Sequence, residues 1–432
     1  MKKFLLLIFC FIFLALNSYA VESKKVSLTE AIDVALENNI DLESNKINIR
    51  IFENRIKEAI RLQNPNIDFY HFMGNSANSE PKQVGISHNI EIAKRKARKN
   101  LAKSELKLAE KNYDYTTFDL KMDVRDAYIE LVATKSILFT LEQQEQLQKE
   151  LLSIAQNRVK NKNAPDIDEI QAEIALNQLI TQINTARMNV RKALNSFNKV
   201  INSKNNVNYD SMDKIFSEEN NFEEMLTPPS DKKFPSVESI VNEGLKRRLD
   251  LQIYKQQIEI AENNLTVTMR QRIPDVQVMG GYAYLPGRNS NSGSLEHGAY
   301  AGISLVNLPL FYNFSPEINN SILKVRQAEL DYISAQNKAK KDITSAYEKF
   351  LTAAENLNHY ESKIVKGSEA LIETSKKSYE KGEIDIVSLI VMKQSYKSII
   401  IGYTQALADY YTSWTGILRE INDENFKLTP SL

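Results

Sequence analysis

The stretch that decides the fold is Lys94–Lys160, KRKARKNLAKSELKLAEKNYDYTTFDLKMDVRDAYIELVATKSILFTLEQQEQLQKELLSIAQNRVK, which holds neither Gly nor Pro. Strong helix formers fill it, and at 1.5 Å per residue it predicts a rod of about 100 Å, far longer than an ordinary globular helix. Leu101, Leu108, Tyr115, Met122 and Ile129 recur every seven positions, and Leu106, Tyr113, Leu120 and Ala127 repeat with the same period. The two sets are offset by five residues, about 140° around a helix. One stripe suits a dimeric coiled coil, whereas two separated stripes suit a helix with neighbours on both sides. A long core helix of an ordinary bundle is the plainer alternative on this stretch alone.

Working outward, the chain begins with Lys2 and Lys3, an apolar run from Phe4 to Leu16, and Asn17-Ser18-Tyr19-Ala20. Basic residues, a short apolar core and small residues at the cleavage positions read as a secretory signal over residues 1–20. The one cysteine, Cys10, lies inside it. Ile8 and Phe9 are bulky where a lipidated cysteine needs small neighbours, so Cys10 reads as part of the signal. The exported chain then carries no thiol, which excludes disulfides, thiolate metal sites and cysteine catalysis. Charge is balanced, 55 basic against 55 acidic residues, which argues against a nucleic-acid partner. No later apolar run is long enough for a membrane-spanning helix.

The sequence is an internal duplication. SLTEAIDVALENNIDL (27–42) aligns with SVESIVNEGLKRRLDL (236–251) without a gap, and the same offset puts Pro65 on Pro274. Further on, Gly85-Ile86-Ser87 matches Gly302-Ile303-Ser304. The expected organisation is a first repeat over 21–201, a polar linker over 202–235, a second repeat over 236–422 and a tail over 423–432. Each repeat reads helix, helix, two strands, very long helix, long helix. In the first, the strands fall at about 66–74 and 83–92, the long helix at 94–160 and the returning helix at 166–200. In the second, the strands fall at about 275–285 and 298–307, the long helix at 317–381 and the returning helix at 385–422.

The strands alternate: Val84, Ile86, His88, Ile90 and Ile92 on one side, Gly85, Ser87, Asn89 and Glu91 on the other. Ala299, Ala301, Ile303 and Leu305 likewise share a face. The loop 286–297 is rich in Pro, Gly, Asn and Ser, and Tyr282, Tyr284 and Tyr300 beside it suggest an aromatic girdle. Each strand has about the 9–11 residues that cross a bilayer at a tilt. In the second long helix Ile343, Phe350, Leu357, Ile364 and Leu371 keep a period of seven, with Ala346, Ala353 and Tyr360 three residues behind the first three. Tyr396, Tyr403 and Tyr410 do the same in the returning helix, a stripe better explained by packing than by a ligand. His71, His88, His297 and His359 are scattered and show no metal-ligand spacing. No phosphate loop, nucleophile elbow or HExxH occurs, so no enzyme, cofactor or metal site is expected.

Four strands with one apolar face cannot lie open in hydrocarbon, because unpaired edges there are prohibitive. Copies of the chain must close the barrel, and eight strands leave an interior filled by side chains, so an open pore needs at least three chains. The fold class is therefore mainly α with a small β part. Long coiled-coil helices form an α-barrel, joined to a four-strand-per-protomer share of a transmembrane β-barrel that has twelve strands in a trimer.

The duplicated LTEAIDVALENNIDL opening, VGISHNIEIAKRKAR, its counterpart GISLVNLPLF and the turn SYEKGEIDIVSLIVMKQS resemble the TolC-type outer-membrane efflux channels across the mature chain. IEIAKRKAR and APDIDEIQAE are most similar to the heavy-metal-efflux branch, although Ile92-Ala93-Lys94 departs from the usual Leu-Gly-Gly there. The resemblance implies a homotrimer in outer-membrane lipid, with a long periplasmic extension. It also implies docking to a periplasmic adaptor protein and an inner-membrane pump of RND or ABC type, passing cargo without chemistry. Two alternatives stay open: a channel for type I protein secretion, and an exported coiled-coil structural protein.

The turns Asn161–Asp166 and Lys381–Asp385 are the polar breaks in the rods. Tyr379 and Gly382 match the family's Tyr-x-x-Gly tip, Asn161 is expected in the place of Gly382 as a left-handed residue, and Pro165 suits the start of the returning helix. The tips, with Asn161, Tyr379 and Gly382, are the expected adaptor contact. The family's acidic entrance ring has no counterpart, since its places hold Ser388 and Val391. Candidate gate residues are then Asp166, Asp168, Glu169, Glu383 and Asp385, with Asp168 foremost and apolar closure by Val391 as the alternative. Capping of the returning helices is the plainer role for the acids, Asp166 and Asp385 above all.

Overall fold

A computed structural model of the chain describes residues 23–71, 82–201, 207–216, 235–284, 297–424 and 426. The signal segment, the turn around Asn75–Pro81 and nearly all of the loop 286–297 lie outside the described residues. The elements in order are β1 (Lys24–Val26), α1 (Leu28–Asn38), α2 (Ile40–Ala59), β2 (Asn66–His71), β3 (Lys82–Ile90), α3 (Lys94–Lys160), α4 (Asp166–Ile201) and β4 (Tyr209–Ser211). They continue with α5 (Val237–Arg247), α6 (Leu249–Arg270), β5 (Asp275–Tyr284), β6 (His297–Val306), α7 (Ser315–His359), a π-helical turn (Tyr360–Ile364), α8 (Val365–Glu380) and α9 (Ile386–Ile421). The expected long helix is observed over all 67 residues of α3. The chain divides into two compact units.

One unit comprises residues 41–116 and 248–340. It holds a four-stranded antiparallel sheet in the order β2-β3-β5-β6. The residues at its foot are braced by charge: Lys94 donates to Asp275 Oδ2 at 2.7 Å, and Arg98 makes a two-pronged pair with Glu91 at 2.6 and 2.5 Å. Asp275 is buried, and a buried carboxylate needs such a cation. Gln256 of α6 donates to the Ser104 carbonyl of α3 at 3.2 Å, holding those helices together.

The other unit comprises residues 1–40, 117–247 and 341–432. Helix α1 starts with a capping box, in which Ser27 Oγ accepts from the Glu30 amide and the Glu30 carboxylate accepts from the Ser27 amide. Between Phe118 and Ala133, α3 is buried on most sides, which bears out its two-sided stripes through Leu120, Met122, Ala127 and Ile129. Tyr128 meets Phe197 edge-on at 5.8 Å, and Phe350 packs against Tyr410 and Trp414 at 5.5 and 5.6 Å. The tyrosine stripe thus packs as expected at Tyr410.

Two features depart from the sequence reading. Strands β1 and β4 pair in parallel, so part of the expected linker is packed structure. Tyr209 is buried there, Lys135 bonds Asp210 at 2.5 Å, and Tyr128 donates to Asp213. Pro165 stands at the start of α4, as its fixed backbone suits, and its carbonyl accepts from the Asp168 amide at 3.0 Å.

The second departure is that the period of seven breaks at the π turn. Ile343, Phe350 and Leu357 are buried, but Ile364 and Leu371 are 37% and 51% exposed. Beyond the turn the inner positions are Val365, Ser368, Ile372, Ser375 and Tyr379. A π turn inserts one extra residue, so every position of the seam moves on by one. The exposure of Ile364 and Leu371 has that geometric cause.

Candidate functional site

The first candidate surface is the sheet. Its register aligns Ile67 with Ile86, Phe69 with Val84 and Tyr282, and Val278 with Ile303, all on one face. Ile67 and Phe69 are each 77% exposed, and Ile303 is 76% exposed. The other face carries Gln83, Gly85, Ser87, Asn89, Gln277 and Ser304, so the strands separate apolar from polar residues as expected. Tyr282 and His297 stack, and the tyrosine hydroxyl lies 2.5 Å from Nδ1 of the imidazole. Tyr300, expected in the same girdle, instead belongs to the polar face. It shares a row with Gly85 and Gly281, and its hydroxyl occupies the space where a Cβ on either would stand. The two glycines are therefore required by a close approach. Among the described residues, strands β2 and β6 are the free edges of the sheet.

The second candidate surface is the pair of helix turns in the other unit. After α3, the Lys162 amide bonds the Val159 carbonyl at 2.9 Å and the Asn163 amide bonds that of Arg158 at 2.8 Å. After α8, the Gly382 amide bonds Tyr379 and the Glu383 amide bonds Ser378, both at 2.9 Å. Both ends are the left-handed closure that terminates helices. Lys162, at φ 56°, holds the position of Gly382, at φ 79°. Asn161 was expected there, but its amide still makes a helical bond to the Asn157 carbonyl, so the turn falls one residue later.

A buried cluster of Leu151, Ala155, Ala172, Tyr379, Ile386 and Leu389 joins these ends. Arg158 lies over the Tyr379 ring, 4.8 Å from its centre, and donates to the Tyr379 carbonyl at 3.3 Å. Burial is the main cause that pushes the Tyr379 hydroxyl above its ordinary pKa.

Asp385 is the N-cap of α9 and accepts from the Ser388 amide at 2.9 Å, and hydrogen bonding from Ser388, its hydroxyl first and then its amide, lowers the Asp385 pKa. Asp166 begins α4 and is exposed, Asp168 is half-buried near Tyr379, and Glu169 accepts from Gln156 at 3.2 Å. Glu383 and Val391 are exposed, and Ser388 is half-buried. Among the described residues no group of three or more His, Cys, Asp or Glu could hold a metal ion, and no helix is long and apolar enough to cross a membrane.

The sequence profile of outer membrane efflux proteins matches residues 31–203 and 240–420, most of the chain and both of its halves. The chain belongs to the outer membrane efflux protein family. The TolC-type resemblance and the outer-membrane location follow from that membership.

The fold of this efflux protein is that of solved outer-membrane channels. The Campylobacter jejuni CmeC channel is 16% identical with a TM-score of 0.72, covering 93% of this chain and 86% of its own. The Neisseria gonorrhoeae MtrE channel in its open state is 16% identical with a TM-score of 0.70, over 92% of this chain and 89% of its own. VceC of Vibrio cholerae is 14% identical with a TM-score of 0.71, over 92% and 96%. No curated protein matches the sequence.

Sequence reasoning did not single out Arg158 or Lys162 in the efflux protein. Setting the two helix starts against each other, Pro165 opposite Asp385, would have placed Lys162 opposite Gly382. No local pattern marks Arg158, because its partner is far away in the chain.

Proposed function

We propose that three copies of the efflux protein close their sheets into one twelve-stranded barrel. That barrel is a passive conduit from periplasm to exterior for small molecules or metal ions. The conduit serves a tripartite efflux system, with a periplasmic adaptor docked at the helix tips around Asn161, Tyr379 and Gly382 and an inner-membrane pump of RND or ABC type beyond it.

The observation that carries this reading is a four-stranded sheet with one exposed apolar face and two free edges. In hydrocarbon every strand-edge amide and carbonyl must be paired, and closure is the only way to do so. Three copies supply the smallest number of strands, in multiples of four, that leaves an open interior. The polar face of Gln83, Ser87, Asn89, Gln277 and Ser304 then lines the pore, and the apolar face meets lipid. Cross-linking of the detergent-extracted protein tests assembly: a ladder ending at three chains is expected, and a stable monomer with full secondary structure would overturn the proposal.

A further inference from the structure

The segment between β6 and α7 is held in an unusual conformation. Asn307 and Phe314, at its ends, both have positive φ, 61° and 57°, which strains a residue with a side chain. At its start Asn307 donates to Asp275 Oδ2 at 3.2 Å, the same oxygen that Lys94 meets at 2.7 Å. At its end Arg272 donates to the Asn313 carbonyl at 2.6 Å, and Tyr312 bonds Glu317 at 2.7 Å and meets the Phe314 ring at 5.4 Å. These braces leave Leu310 75% and Phe311 102% exposed, the latter the most exposed large apolar side chain among the described residues. A single exposed apolar residue needs no explanation. Here a braced loop holds two of them out, directly after a strand whose apolar face carries Ile303 and Leu305.

Asp275 also fixes what stands beside this loop. Through it the loop is tied to the first residue of α3, and α3 opens with Lys94, Arg95 and Lys96 and no acid in its first turn. Cations there oppose the positive end of the helix dipole. Lys94 and Arg98 have carboxylate partners, whereas Arg95, Lys96 and Lys99 are without one among the described residues. An anionic surface would relieve that repulsion, and an aromatic beside basic side chains is the composition that settles at a bilayer interface.

We propose that Leu308–Phe311 and the basic start of α3 together anchor the protein in the membrane leaflet at the foot of the sheet, through apolar insertion and contact with anionic phospholipid headgroups. The proposal rests on the sheet being the part that crosses the bilayer.

The test uses the full chain in vesicles of phosphatidylcholine, with and without phosphatidylglycerol, and with lipids brominated near the headgroup or deep in the acyl chain. Phe311→Trp and Ile303→Trp each add a tryptophan to a chain whose own, Trp414, is buried and supplies the baseline. Phe311→Trp emission is expected to shift to the blue and to be lost to shallow bromine, and Ile303→Trp emission to be lost to deep bromine. Adding Lys96→Glu and Lys99→Glu to Phe311→Trp should reduce the loss only where phosphatidylglycerol is present. If Ile303→Trp is quenched while Phe311→Trp emits as in water, the anchor is overturned and the barrel stands. A blue-shifted but unquenched Phe311→Trp means that a neighbouring copy covers the loop, which also overturns the anchor. Quenching insensitive to phosphatidylglycerol and to the two charge reversals overturns its anionic part. If neither tryptophan is quenched, the reading of the sheet itself fails.

Discussion

Arg419 of α9 donates to Asp119 at 2.7 Å, Asp123 at 2.8 Å and Asp126 at 3.0 Å, one cation for three carboxylates along α3. Asp126 Oδ1 is enclosed without a hydrogen-bond partner, and burial pushes the pKa of this acid up to about 6. A carboxyl whose folded pKa exceeds its unfolded value favours folding while protonated. Its contribution is complete below the unfolded value near pH 4 and is lost as pH rises through about 6. The apparent melting temperature of the detergent-solubilised protein should therefore fall by roughly a few degrees between about pH 4.5 and pH 7. Asp126→Asn should flatten that slope. An unchanged slope in the variant would assign it to other groups.

At the scale of elements, the π turn decides which residues of α8 are structural. Leu357 and Leu371 belong to one set of sevenfold spacing, yet Leu357 is buried and Leu371 is half in solvent. Leu357→Ala should cost about 2–5 kcal/mol, the usual loss for a buried leucine. Leu371→Gln should change stability by less than about 0.5 kcal/mol, as for an ordinary surface site. Denaturant unfolding of both variants measures the difference, and equal losses would mean that the helix continues without a phase shift. On the opposite helix, a Cβ at Gly402 would stand 2.4 Å from the Tyr360 hydroxyl. The packing partner of the π turn is thus itself matched to it.

For the whole molecule the open question is the entrance. Asp385 and Ser388 are engaged in capping α9, and Glu169 is bonded to Gln156. Asp168 remains the half-buried acid beside the Arg158–Tyr379 contact that joins the two helix ends. In the proposed trimer three copies of Asp168 around one axis would create a negative ring, which selects cations. Planar-bilayer recordings of Asp168→Asn should show weaker cation preference and weaker block by divalent ions. Unchanged selectivity and block would point to closure by exposed Val391, without charge.

What the sequence by itself determined were features written along the chain. The length of α3 follows from the lack of any Gly or Pro between Lys94 and Lys160, and the two faces of the sheet follow from alternation in β3 and β6. Even the face of Tyr300 was legible from its parity with Ala299 and Ala301, although nearness to the loop suggested a girdle. Tertiary structure decided what depends on distant partners or on a phase of one residue. Lys162 rather than Asn161 turns left-handed because α3 keeps its helical bonding one residue longer. Leu371 faces outward because an extra residue enters at Tyr360–Ile364. Arg158 reaches Tyr379, and Asp275 joins Lys94 to Asn307, only once remote segments are packed together. Periodicity records which side of an element is apolar; it holds no information about which neighbour that side will meet.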